Sequence, residues 1–265
     1  MIMENSLERQ AVEMEDNYPL YKKHVPQKII TAGNYQLSFA QCRQELDLVQ
    51  KLRTKVFDYS LQGKTHDSDK YDEVFHHLLV RHSPSGEVVG TYRMQISEMA
   101  EDNYGFFSDT EYCLEDIPKD VLANSVEIGR ACVAEEHRNG RVLHLLWRGL
   151  AAYLAWNDKR YLFGCSSLFS QDPNEGYAIL EAFRREDQLH ESIWVKPREA
   201  YRCEPDESVE IKEVPIPKLL RVYMMFGAKV CSPPALDTVF RSIDFLTLFD
   251  LRGLSERAYN SFFAD

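Results

Sequence analysis

Apolar side chains recur at Val142, Leu145, Leu146, Gly149, Leu150, Tyr153 and Leu154, the spacing that lines one face of a helix. This is the clearest periodicity in the chain, and it follows a short polar loop, His137-Arg138-Asn139-Gly140-Arg141. A similar stripe runs through Leu46, Val49, Arg53, Val56 and Phe57 and predicts a helix that begins after Ala40, with Arg53 on its apolar side. Weaker helical patterns cover 176–185 and 217–226. Strand patterns occupy 35–39, 77–81, 87–96, 126–133, 161–165 and 245–251, and Ser83-Pro84-Ser85-Gly86 between the second and third predicts a hairpin. Strand 126–133, basic loop, helix and strand 161–165 make a βαβ-like unit. Residues 1–30 carry no sustained period and read as an arm or a packed extension, with the fold starting after Gly33. The simplest account is an extension at 1–33 and one α/β domain over 34–265, a mixed sheet flanked by helices, with no internal repeat or linker.

Within the strand pattern Val126-Glu127-Ile128-Gly129-Arg130-Ala131-Cys132-Val133, an acid and an arginine interrupt residues otherwise suited to burial. A charge left unpaired in a core costs several kcal/mol, roughly, so both should be partnered or face a cavity. In a regular strand side chains alternate, which puts Val126, Ile128, Arg130 and Cys132 on one side and Glu127 on the other. Only a bulge turns both charges one way, and Gly129 is the residue that tolerates one.

With 44% hydrophobic residues the chain can bury a sizeable core. It shows no apolar run of membrane-spanning length and no secretory signal, which points to the cytoplasm. The six cysteines form no C-x-x-C pair, so reduced thiols are expected rather than disulfides or zinc. A formal charge of -11 argues against nucleic acid as partner. His66, His76 and His77 do not suggest a metal either, because adjacent strand residues point to opposite faces. Cys165, beside Ser166 and Ser167, could be a nucleophile, but its sequence neighbours supply no base or positive charge, and a buried strand cysteine is the simpler reading.

Four features stand in order: Arg53 on its helix face, Asp69-Lys70-Tyr71-Asp72 in a loop, Arg93 on a strand, and Glu127 with Arg130. Together with Leu52-Arg53-Thr54-Lys55-Val56-Phe57, Val89-Gly90-Thr91-Tyr92-Arg93 and Glu127-Ile128-Gly129-Arg130, the chain resembles the acyl-homoserine-lactone synthase branch of the GNAT acyltransferases. Residues 143–150, 161–167, 234–237 and 243–246 bring it closer to the ornithine N-acyltransferase group, often labelled hemolysin-like, and the likeness runs from about Leu37 to Leu251.

The resemblance implies a GNAT-like fold and transfer of a fatty acyl group, commonly 3-hydroxylated, from acyl carrier protein to the α-amine of an amino acid. It implies no tightly bound cofactor, the donor being the acyl-phosphopantetheine arm of the carrier. It also implies that Arg53, Asp69, Asp72, Arg93, Glu127 and Arg130 shape and charge the acceptor site. The loop at 137–142 departs from the usual GNAT phosphate motif at both ends, which fits a carrier that presents only its pantetheine arm.

Backbone N–H groups after Gly140, with Arg138, Asn139 and Arg141, would hold the pantetheine phosphate at the helix start, and Cys165 and Ser166 would line the arm. Arg141, Arg148, Lys159 and Arg160 could offer the acidic carrier a cationic surface. Aminolysis of a thioester needs a neutral amine and an acceptor for its proton, and Glu127 is the candidate base. Asp69 and Asp72 would attract the cationic amino acid, and Arg93 and Arg130 would clamp its carboxylate or hold Glu127.

Two alternatives are an acyl-homoserine-lactone-type synthase and a non-catalytic protein that binds an acyl carrier or a membrane surface. Buried charges argue against the second, since holding an acyl chain needs only apolar surface. Peripheral contact with the inner face of the membrane stays open for either enzyme, and no metal is expected.

Overall fold

A computed structural model describes residues 17–57, 66–206, 208 and 213–263. Residues 1–16, and Gln62 to Thr65 of the loop before Asp69, lie outside them. The strands are β1 (Ile30–Ala32), β2 (Tyr35–Phe39), β3 (His76–His82), β4 (Val88–Ile96), β5 (Ser125–Val133), β6 (Tyr161–Leu168), β7 (Lys229–Val230), β8 (Ala235–Asp237) and β9 (Ser242–Asp250). The helices are α1 (Arg43–Phe57), α2 (Ser97–Glu101), α3 (Lys119–Ala123), α4 (Gly140–Trp156), α5 (Pro173–Arg185), α6 (Lys218–Met225) and α7 (Glu256–Phe263).

The chain forms two compact units: 1–95 with 129–158, and 96–128 with 159–264. Strand β5 crosses the boundary after Ile128, so its first half belongs to one unit and its second half to the other.

In the first unit β1, β2, β3 and β4 pair antiparallel in sequence order. The hairpin between β3 and β4 closes through His82 N–H to Glu87 O and Gly86 N–H to His82 O, each 2.8 Å, with Gly86 at φ 74°. Helix α4 buries Val142, Leu145, Leu146, Leu150, Tyr153 and Leu154, the stripe read from the sequence. Gly149 lets it approach closely: a Cβ there would stand 2.7 Å from Leu37 Cδ1. Trp147 is buried, whereas Trp156 lies exposed at the end of the helix, giving its indole N–H to Lys23 O rather than joining the core.

The N-terminal region is more than an extension. Tyr18 and Val25 are buried, and β1 precedes Gly33, which turns the chain at φ 59° into β2.

In the second unit β5 runs parallel to β6 over Ser125–Glu127 and Tyr161–Phe163, and β6 pairs antiparallel with β9 along its whole length. Strands β7 and β8 both pair with β9. The core of this unit gathers Tyr112, Phe163, Val195, Cys231, Leu246 and Leu248. Gly164 marks where β5 and β6 come closest, since a Cβ there would lie 2.1 Å from Ile128 O. No described helix is long and apolar enough to cross a membrane.

Candidate active site

The first unit holds a closed network of charge. Arg53, carried inward on the apolar stripe of α1, donates from Nε to Asp67 Oδ2 (2.7 Å), from Nη1 to Asp72 Oδ1 (2.8 Å) and from Nη2 to Asp72 Oδ2 (3.0 Å). Arg93, from β4, donates from Nη1 to both oxygens of Asp69, 2.8 Å each, and to Asp72 Oδ1 at 3.0 Å. Its guanidinium also stands over the Phe75 ring, 4.8 Å from the centroid. Arg130 reaches Asp69 Oδ2 at 3.5 Å and Asp67 Oδ1 at 3.7 Å. Three guanidinium groups thus face three carboxylates.

A local motif fixes the acids. Asp69 caps the turn Lys70–Glu73, accepting from Tyr71 N–H and Asp72 N–H, while Asp72 accepts from Asp69 N–H in return. His77 extends the network, with Nδ1 2.8 Å from the Tyr18 hydroxyl and Nε2 3.3 Å from Asp72 Oδ1.

Electrostatics follow from this packing. Burial opposes ionisation of Asp72, but His77, Arg53 and Arg93 outweigh it and hold the carboxyl well below the usual range. Burial lowers the His77 imidazole despite its bond to Asp72. His76, adjacent on β3, turns the other way to Tyr153 Oη (2.7 Å), and burial lowers it to about 3.

The charged residues of this network differ in exposure. Arg53, Asp72 and Arg93 are essentially inaccessible and grip one another, whereas Asp69 and Arg130 keep side-chain exposures of 26% and 12%. Arg93 holds Asp69, and Asp67 and Asp69 face Arg130. The backbone distortion falls one residue beyond the glycine: Arg130 itself adopts φ 49°, a left-handed conformation that costs an arginine roughly 1–3 kcal/mol.

The second unit holds Glu127 differently. Its carboxylate accepts from Ser108 N–H (2.6 Å) and Ser108 Oγ (2.7 Å) on Oε1, and from Phe107 N–H (2.9 Å) on Oε2. These donors open a short helical turn, Phe107–Thr110. Ser108 also receives the Cys165 thiol at 3.6 Å. Burial, with Glu111 and Asp244 nearby, pushes that thiol well up, which favours its protonated form. Ser166 is buried and bonded to Thr247 Oγ1 at 3.0 Å, turned toward β9.

The loop before α4 is more occupied than its sequence suggests. Asn139 Oδ1 accepts from Arg141 N–H and Val142 N–H, 3.1 Å each, so the donors expected to cradle a phosphate are capped by the loop's own side chain. Asn139 Nδ2 donates to Tyr35 Oη (3.1 Å), which lies 3.0 Å from His137 Nδ1. Arg138 Nε donates to Val133 O, and the Arg141 guanidinium lies over Gly33. Gly140, N1 of the helix, adds conformational freedom but no side chain.

The expected cationic surface is reduced as well. Lys159 is spent on Ser97, Glu98 and Ala123 O, and Arg160 pairs with Asp250, because both find acceptors within their own unit.

Asp67, His77 and Ser108 are the participants that sequence reasoning missed. Asp67 lies two residues before Asp69, in a loop rich in Gly, His, Asp and Lys, and no spacing rule singles it out. Ser108 carries no local signal, because only the backbone path brings it to Glu127.

Residues 52–148 match the family model of the acetyltransferase (GNAT) domain. The chain is 29% identical over 253 residues to the L-ornithine N(alpha)-acyltransferase of Rhizobium meliloti (strain 1021), an alignment spanning 88% of this chain and 86% of that one. It is 28% identical over 246 residues to the protein of the same name from Agrobacterium fabrum (strain C58 / ATCC 33970), covering 85% and 84%. Among solved structures, the AHL synthase LasI aligns over 90% of this chain and 96% of its own with a TM-score of 0.44 at 12% identity. The GNAT domain match over residues 52–148, and the similarity to ornithine Nα-acyltransferases along most of both chains, support a GNAT-like fold and an acyltransferase activity.

Proposed function

We propose that the protein moves a fatty acyl group, 3-hydroxylated, from the thioester of acyl carrier protein to the α-amine of ornithine, giving an N-acyl amino acid of the lyso-ornithine lipid type. The observation that carries this reading is the likeness to ornithine Nα-acyltransferases over 88% of the chain. In this reading Glu127 takes the proton that the attacking nitrogen sheds, directly or through one water. Its three neutral donors favour the ionised carboxylate, the form a base requires. Arg130 receives the carboxylate of the amino acid and Asp69 its cationic groups, while Arg93 holds Asp69, and Arg53 holds Asp72 and the Asp67 that faces Arg130. The pantetheine arm of the donor runs by Arg138, Asn139, Gly140 and Arg141, where its phosphate displaces the Asn139 cap.

The test incubates purified protein with 3-hydroxyacyl carrier protein or acyl-coenzyme A and a panel of amino acids including S-adenosylmethionine, and detects products by mass. N-acyl-ornithine formed from the carrier is the expected outcome. No product with any amino acid overturns the reading, and product from S-adenosylmethionine alone would shift it to a signal synthase. Glu127→Gln should lower kcat by about a hundredfold or more, the usual contribution of a general base.

A further inference from the structure

Glu127 is buried on a strand and oriented by a turn far from it in sequence, and the geometry there reaches past the carboxylate to a second residue pair. Ser108 is almost wholly buried and has one hydroxyl proton. Its oxygen lies 2.7 Å from Glu127 Oε1 and 3.6 Å from Cys165 Sγ. A neutral thiol sulfur accepts hydrogen bonds weakly, whereas an ionised carboxylate accepts strongly, so the serine proton goes to Glu127.

We propose that Ser108, backed by the Cys165 thiol, is the positioning residue that holds Glu127 ionised and aimed for proton abstraction. This rests on the reading of Glu127 as the base. The titratable groups around the trio reinforce the arrangement. Glu111, from the segment just after the turn, and Asp244, from β9, face the thiol and keep its proton on sulfur. Asp109, on the same turn as Ser108, is engaged elsewhere by Arg198. Cys165 thus acts as a fixed neighbour of the serine rather than as a nucleophile, and the Phe107 and Ser108 N–H groups donate to the same carboxylate.

The experiment records kcat/KM against pH for wild type, Ser108→Ala, Ser108→Thr and Glu127→Gln, with a melting curve for each. Loss of one hydrogen bond to a charged group should lower kcat of Ser108→Ala by about ten- to a hundredfold. Without that donor the ionised carboxylate is less favoured, so the acidic limb of the profile should move to higher pH. KM for the amino acid should stay near wild type, and Ser108→Thr, which keeps the hydroxyl, should restore both limb and rate.

A wild-type rate and limb in Ser108→Ala, with Glu127→Gln inactive, overturns the positioning role and leaves the base in place. A uniform loss of rate with an unmoved limb and a lower melting temperature also overturns it, as a purely structural effect. A wild-type rate in Glu127→Gln overturns the underlying reading of the base instead. Should Ser108→Ala fail to fold, Cys165→Ser against Cys165→Val carries the same readout. Serine should keep the limb and valine should shift it, and identical limbs overturn the proposal.

Discussion

This chain buries a carboxylate in two ways. In the first unit Asp72 is held by charges: Arg53 and Arg93 grip it, and Asp67 and Asp69 answer those guanidinium groups in turn. In the second, Glu127 is held by two backbone N–H groups and one hydroxyl. The first arrangement is self-compensating, so removing any member strands the others in a medium that does not solvate them. In the second, donors from one short turn converge on a single carboxylate, so its surroundings do not depend on a matched set of neighbouring acids. On the proposed function, the first arrangement supplies rigidity and the second the base.

The sharpest way to break this comparison is to remove one charge from each side. Arg53→Met should destabilise the protein by about 3–5 kcal/mol, because Asp67 and Asp72 remain buried without their main cation. Urea denaturation measures it. Glu127→Gln, which retains the shape of the side chain, should move the denaturation midpoint much less while removing activity. If both variants lose stability equally, Glu127 belongs to the scaffold and the distinction collapses.

His76 offers a third case, a titratable group buried in its neutral form. Its folded-state value lies near 3, below the roughly 6.5 of an unfolded chain. The unfolded state therefore takes up the proton first, and the stability this group contributes is complete above about 6.5 and lost as the pH falls toward 3. Denaturation midpoints measured between pH 7 and pH 4, on the order of one unit apart, should slope downward in wild type and flatten in His76→Gln. A residual slope belongs to His77, which burial lowers in the same direction. An unchanged slope would mean that the imidazole charges without cost.

How much of this was legible beforehand depends on whether the signal was local. The stripe at 142–154 is helix α4, the turn at Ser83–Gly86 closes the β3–β4 hairpin, and Arg53 on an apolar face is the buried arginine found there. These depend on neighbours within a turn or two. The strand at 126–133 predicted that both charges must be partnered, but not by what, because the partners come from loops about 20 and about 60 residues away. The capped start of α4 was missed for a different reason. An asparagine in a basic loop reads equally as a ligand contact and as a helix cap, and only the coordinates show Oδ1 turned back on Arg141 and Val142. The start of the fold was placed too late because β1 has three residues, too few to show a period.

Arg130 separates the backbone from the side chain. Its left-handed φ of 49° is strained, while its guanidinium reaches Asp67 and Asp69. Arg130→Gly removes both at once. Relief of the backbone should offset lost ion pairing, so the melting temperature should change by only a few degrees, on the order of 1 kcal/mol. KM for the amino acid should rise as the carboxylate loses its partner. Arg130→Lys keeps a charge and keeps the strain, and it should recover only part of the affinity because an ammonium cannot reproduce the fork. If the glycine variant binds the amino acid normally, recognition lies elsewhere.

The smallest effect should come from Asn139, where, on the proposed function, the helix cap and the acyl donor compete for the same N–H groups. Asn139→Ala deletes a helix cap and should cost about 1 kcal/mol of stability. It also frees Arg141 N–H and Val142 N–H, the donors a pantetheine phosphate would use, so KM for the acyl donor should fall, or at the least not rise. A cap with no part in donor binding would lower stability and leave that KM where it was. Asn139→Asp separates the two further, for it keeps the cap and places a negative charge where the phosphate must sit. It should therefore preserve the melting temperature and raise KM for the donor, an opposition that a purely structural cap does not produce.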